Sequence, residues 1–143
     1  MIERGMRCLL VDIDEQRLNQ AARDLGAGAL TYLADLTDAA AMARLVAHVR
    51  DEIGRLDVLV NNAGILSNTP FEIRPMASIE QEIRLNMLVP MALTQALLPT
   101  LQKAPDGRVI SIVSLGGLFP MPETSVYSAS KCGLRGAMLC LGL

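Results

Sequence analysis

Apolar and polar positions along this chain fall into two alternating kinds of run. Short, largely apolar stretches at Met6–Val11, Ala29–Leu33, Leu56–Val60 and Arg108–Val113 predict strands. Longer stretches, in which apolar residues return every three or four positions, predict helices. The first helix spans Asp14–Leu25, with Asp14 as cap, Leu18, Ala21, Ala22 and Leu25 on one face, and Gly26 as its stop. The second runs from Asp38 to about Ile53, with Met42, Leu45, Val46, Val49 and Ile53 inward and Gly54 at its end. Ser78 is expected to cap a long third helix reaching about Gln102. A last helix begins near Tyr127, after the Gly- and Pro-containing loop Leu115–Val126.

The elements alternate strand, helix, strand, helix through the whole chain. The strands are continuous rather than alternating, so both sheet faces are expected to lie under helices. The pattern predicts an α/β chain with a doubly wound parallel sheet (Rossmann-like), incomplete, in one domain over residues 1–143. No repeat, low-complexity segment or linker interrupts it.

Composition removes several alternatives. Hydrophobic residues make up 51% and charged residues 20%, which describes a globular chain rather than a disordered one. A net charge of −2 leaves no basic footprint for nucleic acid. No long apolar run is free of charge, and Met1-Ile-Glu-Arg-Gly-Met lacks a secretory core, so no membrane partner and a cytoplasmic location are expected. Cys8, Cys132 and Cys140 are not spaced as metal ligands and read as buried free thiols, with no metal expected. His48 has no Cys or carboxylate arrangement around it and reads as a surface or half-buried histidine. Met87, Met91 and Met138 fit helix-face packing.

Four polar signals fall at the carboxyl ends of the strands, where doubly wound sheets bind ligands: Asp12, Asp35, Asn61-Asn62-Ala63-Gly64 and Ser114. Tyr127 and Lys131 are one helical turn apart and share a face. A free phenol has a pKa near ~10, and a neighbouring cation lowers such a value by roughly 1–3 units. The pair can therefore pass a proton to or from a carbonyl or alcohol oxygen, and Ser114 can donate a second hydrogen bond to that oxygen. The alternative is an ordinary surface helix carrying both residues. Asn86 lies inside a helix, and Pro90 has no N–H to offer its carbonyl. That reads either as a kinked helix or as a fixed water site. Asp12 can accept hydrogen bonds from a ribose and repel a 2′-phosphate, or simply form a turn. Asp35, followed by Leu36, carries the same ambiguity. Asn62-Ala63-Gly64 supplies either a close approach for a flat ring or ribose, or a bland turn.

Together these residues make the chain resemble the short-chain dehydrogenases/reductases. Asn61-Asn62-Ala63-Gly64 matches that family's NNAG segment, and Tyr127-Ser-Ala-Ser-Lys131 its YxxxK motif. Ser114 keeps the family's distance from the tyrosine, Asn86 falls at its helix asparagine, and Asp35 and Asp12 match its two acidic positions. The match runs from residue 5 to residue 143. It implies Asn86, Ser114, Tyr127 and Lys131 as catalytic residues. Tyr127 would be the general acid/base, Lys131 would lower its pKa and bind the nicotinamide ribose, and Ser114 would polarise the substrate oxygen. The Asn86 main-chain carbonyl would hold a water that links Lys131 to solvent. It implies Asp12, Asp35, Leu36, Asn62, Ala63, Gly64, Tyr127 and Lys131 as cofactor contacts. NAD is expected, with NADP disfavoured by Asp12. The substrate would be a small ketone or secondary alcohol. Leu118, Phe119, Met121 and Pro122 would line an apolar or mixed pocket wall, and homo-oligomers would form through the helices around Asn86 and Tyr127.

The family's glycine-rich TGxxxGxG turn and the strand before it are not among these residues, and Gly26 and Gly28 follow a helix instead. The resemblance therefore implies a partial chain whose sheet lacks its middle strand and which does not turn over NADH alone. The competing expectation is an inactive family remnant acting as an association module, marked by a stable oligomer that shows no NAD-induced thermal shift.

Overall fold

The structure, a computed structural model, describes residues 2–119 and 122–142. Contacts divide it into two units, Met1–Leu45 and Val46–Leu143.

In the first unit, β1 (Cys8–Asp12) and β2 (Ala29–Leu33) pair in parallel, Cys8 opposite Ala29 and Asp12 opposite Leu33. Between them runs α1 (Glu15–Leu25). Asp14 caps it, accepting from the Arg17 N–H at 3.0 Å, and Gly26, at φ 77°, ends it. Two strands offer one narrow face for burial. On α1 only Leu18 is fully buried, Ala21 and Ala22 are half-buried, and Leu25 is exposed, against expectation. The chain then enters α2 (Ala39–His48), which crosses the boundary between the units. Asp38 starts it by accepting from the Ala40 N–H at 2.9 Å.

A π-helical turn, Val49–Ile53, extends α2 to Gly54 at φ 78°. Leu45 and Val49 are buried as expected, but Ile53 is 38% exposed. The π-turn adds a residue and rotates Ile53 off the face that a 3.6-residue period would give it. His48 is half-buried, as expected, with Glu52 3.1 Å from its Nδ1.

In the second unit, β3 (Val58–Asn61) pairs in parallel with β4 (Arg108–Ser111), Asn61 opposite Ser111. The long helix between them is three pieces: α3 (Met76–Ile83), a π-turn over Arg84–Leu88, and α4 (Val89–Leu101). It begins at Met76 rather than at Ser78, because the Pro75 carbonyl already accepts from the N–H groups of Ser78 and Ile79. The final helix, α5 (Ser125–Leu141), starts two residues ahead of Tyr127. Val89, Leu93, Leu97 and Leu101 from α4 and Leu134 and Met138 from α5 form the core.

The architecture is α/β with parallel strands, but the strands form two two-stranded sheets. Leu30, Leu33, Val60, Ile110 and Ile112 are all exposed. Full cover on both faces, expected from their apolar runs, is therefore not reached. Cys8 and Cys132 are half-buried free thiols, whereas Cys140 is exposed on the last turns of α5. Among the described residues no helix is long and apolar enough to cross a membrane.

Candidate functional site

Lys131 organises the site. It sits on α5 one turn after Tyr127, and the residue is only 4% exposed. Its Nζ donates to the Ile112 carbonyl at 2.8 Å and lies 5.8 Å from the centre of the Tyr127 ring. Burial holds the ammonium below the usual lysine value.

Gly64 comes close to the same ammonium. A Cβ there would stand 3.3 Å from Lys131 Nζ and 3.1 Å from Asn86 Oδ1. The glycine thus leaves the lysine a space that any other side chain would fill. Asn62 beside it is exposed and Ala63 half-buried.

Asn86 is wholly buried in the π-turn. Its Oδ1 accepts from the Ile65 N–H at 2.8 Å, and its Nδ2 donates to the Ile65 carbonyl at 2.8 Å and to Ser130 Oγ at 3.2 Å. Ser130 in turn donates to the Tyr127 carbonyl at 2.7 Å. The asparagine side chain thereby joins the turn after β3 to the Tyr127–Lys131 turn of α5. Asn61 makes a parallel tie, donating to Thr94 Oγ1 at 3.1 Å and Ser111 Oγ at 3.2 Å.

Ser114 follows β4 with φ 63° and ψ 165°, a conformation that side-chain-bearing residues rarely hold. Its Oγ accepts from the Gly116 N–H at 3.4 Å. Gly116 and Gly117 let this loop press onto α5. A Cβ on Gly116 would meet the Tyr127 ring at 3.2 Å, and one on Gly117 would meet the Lys131 backbone at 3.1 Å. Met121, expected in the pocket wall, lies outside the described residues; Leu118, Phe119 and Pro122 are exposed.

The second unit therefore brings together Gly64, Asn86, Tyr127 and Lys131, with Ser114 attached through the Gly116–Gly117 stage. Asp12, Asp35 and Leu36 lie in the first unit. Asp12 is exposed, and its Oδ1 accepts from the Asp14 N–H at 2.9 Å. Asp35 Oδ1 accepts from the hydroxyl of Thr37 at 2.7 Å and its N–H at 2.8 Å. These bonds, the hydroxyl foremost, hold the Asp35 carboxyl below its ordinary range against the opposing effect of burial. Leu36 is half-buried beside it.

Several participants escaped the sequence reading: Gly116, Gly117, Ser130, Thr94 and a buried Arg74–Glu82 ion pair. Two adjacent glycines one residue beyond Ser114, and the small serine just before Lys131, were the available signals. For Arg74, in a loop, and Glu82, on a helix, no local signal exists, since charged residues usually face water.

Comparison with known proteins gives one answer. The family model for short chain dehydrogenase matches residues 1–143. A ketoacyl reductase, HetN, from Nostoc sp. is 38% identical over 80% of this chain, and a 3-ketodihydrosphingosine reductase from Bacteroides thetaiotaomicron is 32% identical over 76% of it. A metagenomic short-chain oxidoreductase solved in complex with NADP superposes with a TM-score of 0.87 at 33% identity over 94% of this chain. The chain spans 40% of each of the two relatives' length and 62% of the solved protein's.

Proposed function

The chain belongs to the short chain dehydrogenase family, and we propose that it carries the proton-handling half of an NAD-dependent site for ketones and secondary alcohols. The observation behind this reading is the buried Lys131 ammonium 5.8 Å from the Tyr127 ring, beside the gap at Gly64. In the reducing direction the Tyr127 hydroxyl gives its proton to the substrate carbonyl oxygen while Ser114 Oγ donates to the same oxygen. The Lys131 cation favours the negative charge left behind. The lost proton is replaced along Lys131 and a water held by the Asn86 main-chain carbonyl, for which Pro90 offers no competing N–H. A bound nicotinamide supplies the hydride, or accepts it in the reverse direction.

Tyr127, Lys131 and the Asn62-Ala63-Gly64 turn would hold the nicotinamide end, and the fit rests on the space that a Cβ at Gly64 would close. Asp35 and Leu36 would reach the adenine end. Asp12, whose carboxylate is exposed, would take the adenosine ribose and repel a 2′-phosphate, favouring NAD. Two relatives are named for keto compounds, which supports a ketone as substrate. Exposed Leu118 and Phe119 support an apolar or mixed pocket wall. Exposed Leu88 and Met91, with Leu139 and Leu141, support pairing of two copies through these helices. Three free thiols suit a reducing cytoplasm.

The test is NADH oxidation with a ketone by residues 1–143 expressed with whatever coding sequence flanks them, carrying either Tyr127 or Tyr127→Phe. The variant is expected to lose roughly 10²–10⁴ of the rate with its melting temperature unchanged. Equal rates would remove Tyr127 from the chemistry.

A further inference from the structure

One face of the helix bearing Asn86 is polar and buried. Ser78, Glu82 and Asn86 stand four residues apart on it, and Glu82 and Asn86 are both 0% exposed. Asn86 grips Ile65 through that residue's N–H and carbonyl, each at 2.8 Å. Glu82 binds the guanidinium of Arg74, whose side chain is 5% exposed. The same guanidinium donates to the Ser78 carbonyl at 3.0 Å and to Ser78 Oγ at 3.2 Å. Ile65 and Arg74 are the two ends of one loop. Between them the loop stands in solvent, with Leu66 50%, Phe71 61% and Ile73 73% exposed.

Stability is a weak reason for this ion pair. Removing two charges from water commonly costs as much as their attraction returns, and apolar replacements are often neutral or stabilising. Here Glu82 Oε1 has no partner among the described residues, so the pair is only half satisfied. What it supplies is location: the far end of the loop is fixed one helical turn from the point where Asn86 fixes the near end.

We propose that Arg74 and Glu82 are positioning residues, which with Asn86 pin both ends of the 65–74 loop to one helix face and so hold Gly64 against Lys131. The importance of that placement rests on the reading of Lys131 and Gly64 as the nicotinamide end of the site. Pinning and reading separate experimentally.

The test compares the full chain with the Arg74→Met, Glu82→Met double variant, which leaves no unpaired charge. Hydrogen exchange by mass spectrometry is expected to speed up about tenfold or more across 66–74 and to stay unchanged in α1, with a melting temperature equal to or above that of the wild type. The chain has two lysines, Lys103 and Lys131. In ¹³C-lysine spectra the Lys131 signal is expected to move toward that of an exposed lysine. An unchanged exchange rate in the loop overturns the proposal. So does a loss of protection that follows a lowered melting temperature through the whole second unit, because that is a merely structural effect. A loosened loop with an unmoved Lys131 signal overturns the link to the site. Failure of the wild type to bind NADH would count against the catalytic reading alone, since both readouts are made without cofactor.

Discussion

The sharpest consequence of the geometry concerns two glycines and one substitution. A Cβ on Gly117 would stand 3.1 Å from the Lys131 carbonyl carbon and oxygen and 3.2 Å from the Lys131 Cβ. Carbon pairs are comfortable at about 3.5–4.0 Å, so α5 would have to retreat by roughly 0.4 Å. Backbone atoms of a buried helix cannot step aside alone. Overpacking of this kind costs about 1–3 kcal/mol, offset by about 0.4–1 kcal/mol because alanine restricts the unfolded chain. Gly117→Ala is therefore expected to destabilise by about 1–2 kcal/mol. Gly136, within α5, has nothing within 4 Å of its prospective Cβ. There the same substitution relieves only a helix penalty and is expected to stabilise by about 1 kcal/mol. Urea unfolding followed by far-ultraviolet circular dichroism measures both, provided the m-values agree. The sign is decisive. If Gly117→Ala is as stable as the wild type, the loop after Ser114 does not press on α5 as described. Because the displaced atoms are those of Lys131, its ¹³C-lysine signal should move in the same variant.

Asn86→Ala removes three hydrogen bonds and leaves both backbone groups of Ile65 without their partners; a loss of about 2–4 kcal/mol in the same unfolding assay is expected, and a loss below about 1 kcal/mol would sink the clamp. Burial lowers the Lys131 value, so the unfolded chain binds a proton that the folded chain has already released between that lowered value and the ordinary 10.5. Stability attributable to Lys131 should accordingly rise with pH through that window, and Lys131→Met should abolish the rise. A ¹³C-lysine titration that placed Lys131 at or above 10.5 would contradict it. Ser114, at φ 63° and ψ 165°, stores strain that glycine would relieve. Ser114→Gly should be about 1 kcal/mol more stable than Ser114→Ala, although both lose the hydroxyl; equal stabilities would show that the turn is unstrained.

What the sequence disclosed and what it hid divide along physical lines. Asp14 and Asp38 as helix starts, and Gly26 and Gly54 as stops, are local devices, and each is where the pattern placed it. The parallel α/β character followed from run lengths alone. The errors arose where a distant neighbour decides. Leu25 and Leu33 are apolar in pattern yet exposed, because a two-stranded sheet has too little face to cover them. Ile53 left its predicted face through a π-turn that no periodicity announces. Ser78 looked like a cap, but Pro75 had already taken that role and its hydroxyl went to Arg74. The polar ties of Asn61 reach across 33 and 50 residues of sequence, and the one from Asn86 to Ser130 across 44. Spacing rules do not extend that far.

Asn86 shows how a local misfit in the sequence can mark a residue through only part of its chemistry. The sequence flagged it because asparagine is disfavoured within a helix and because Pro90 cannot bond its carbonyl. Both arguments concern the main chain. The structure adds a use for the side chain: it meets the N–H and the C=O of one residue, Ile65, at the same time. A carboxamide alone among short side chains offers a donor and an acceptor side by side. Aspartate would face the Ile65 carbonyl with like polarity, and serine would offer a single oxygen where the asparagine has two atoms side by side. Glutamine has the right groups on a stem one methylene too long for a position that is 0% exposed. The proposed main-chain role would not compete with the side-chain clamp, since the two use different atoms. The clamp sits within the π-turn over Arg84–Leu88. The same residue therefore fixes the turn bearing Gly64, whose missing Cβ leaves room beside Lys131.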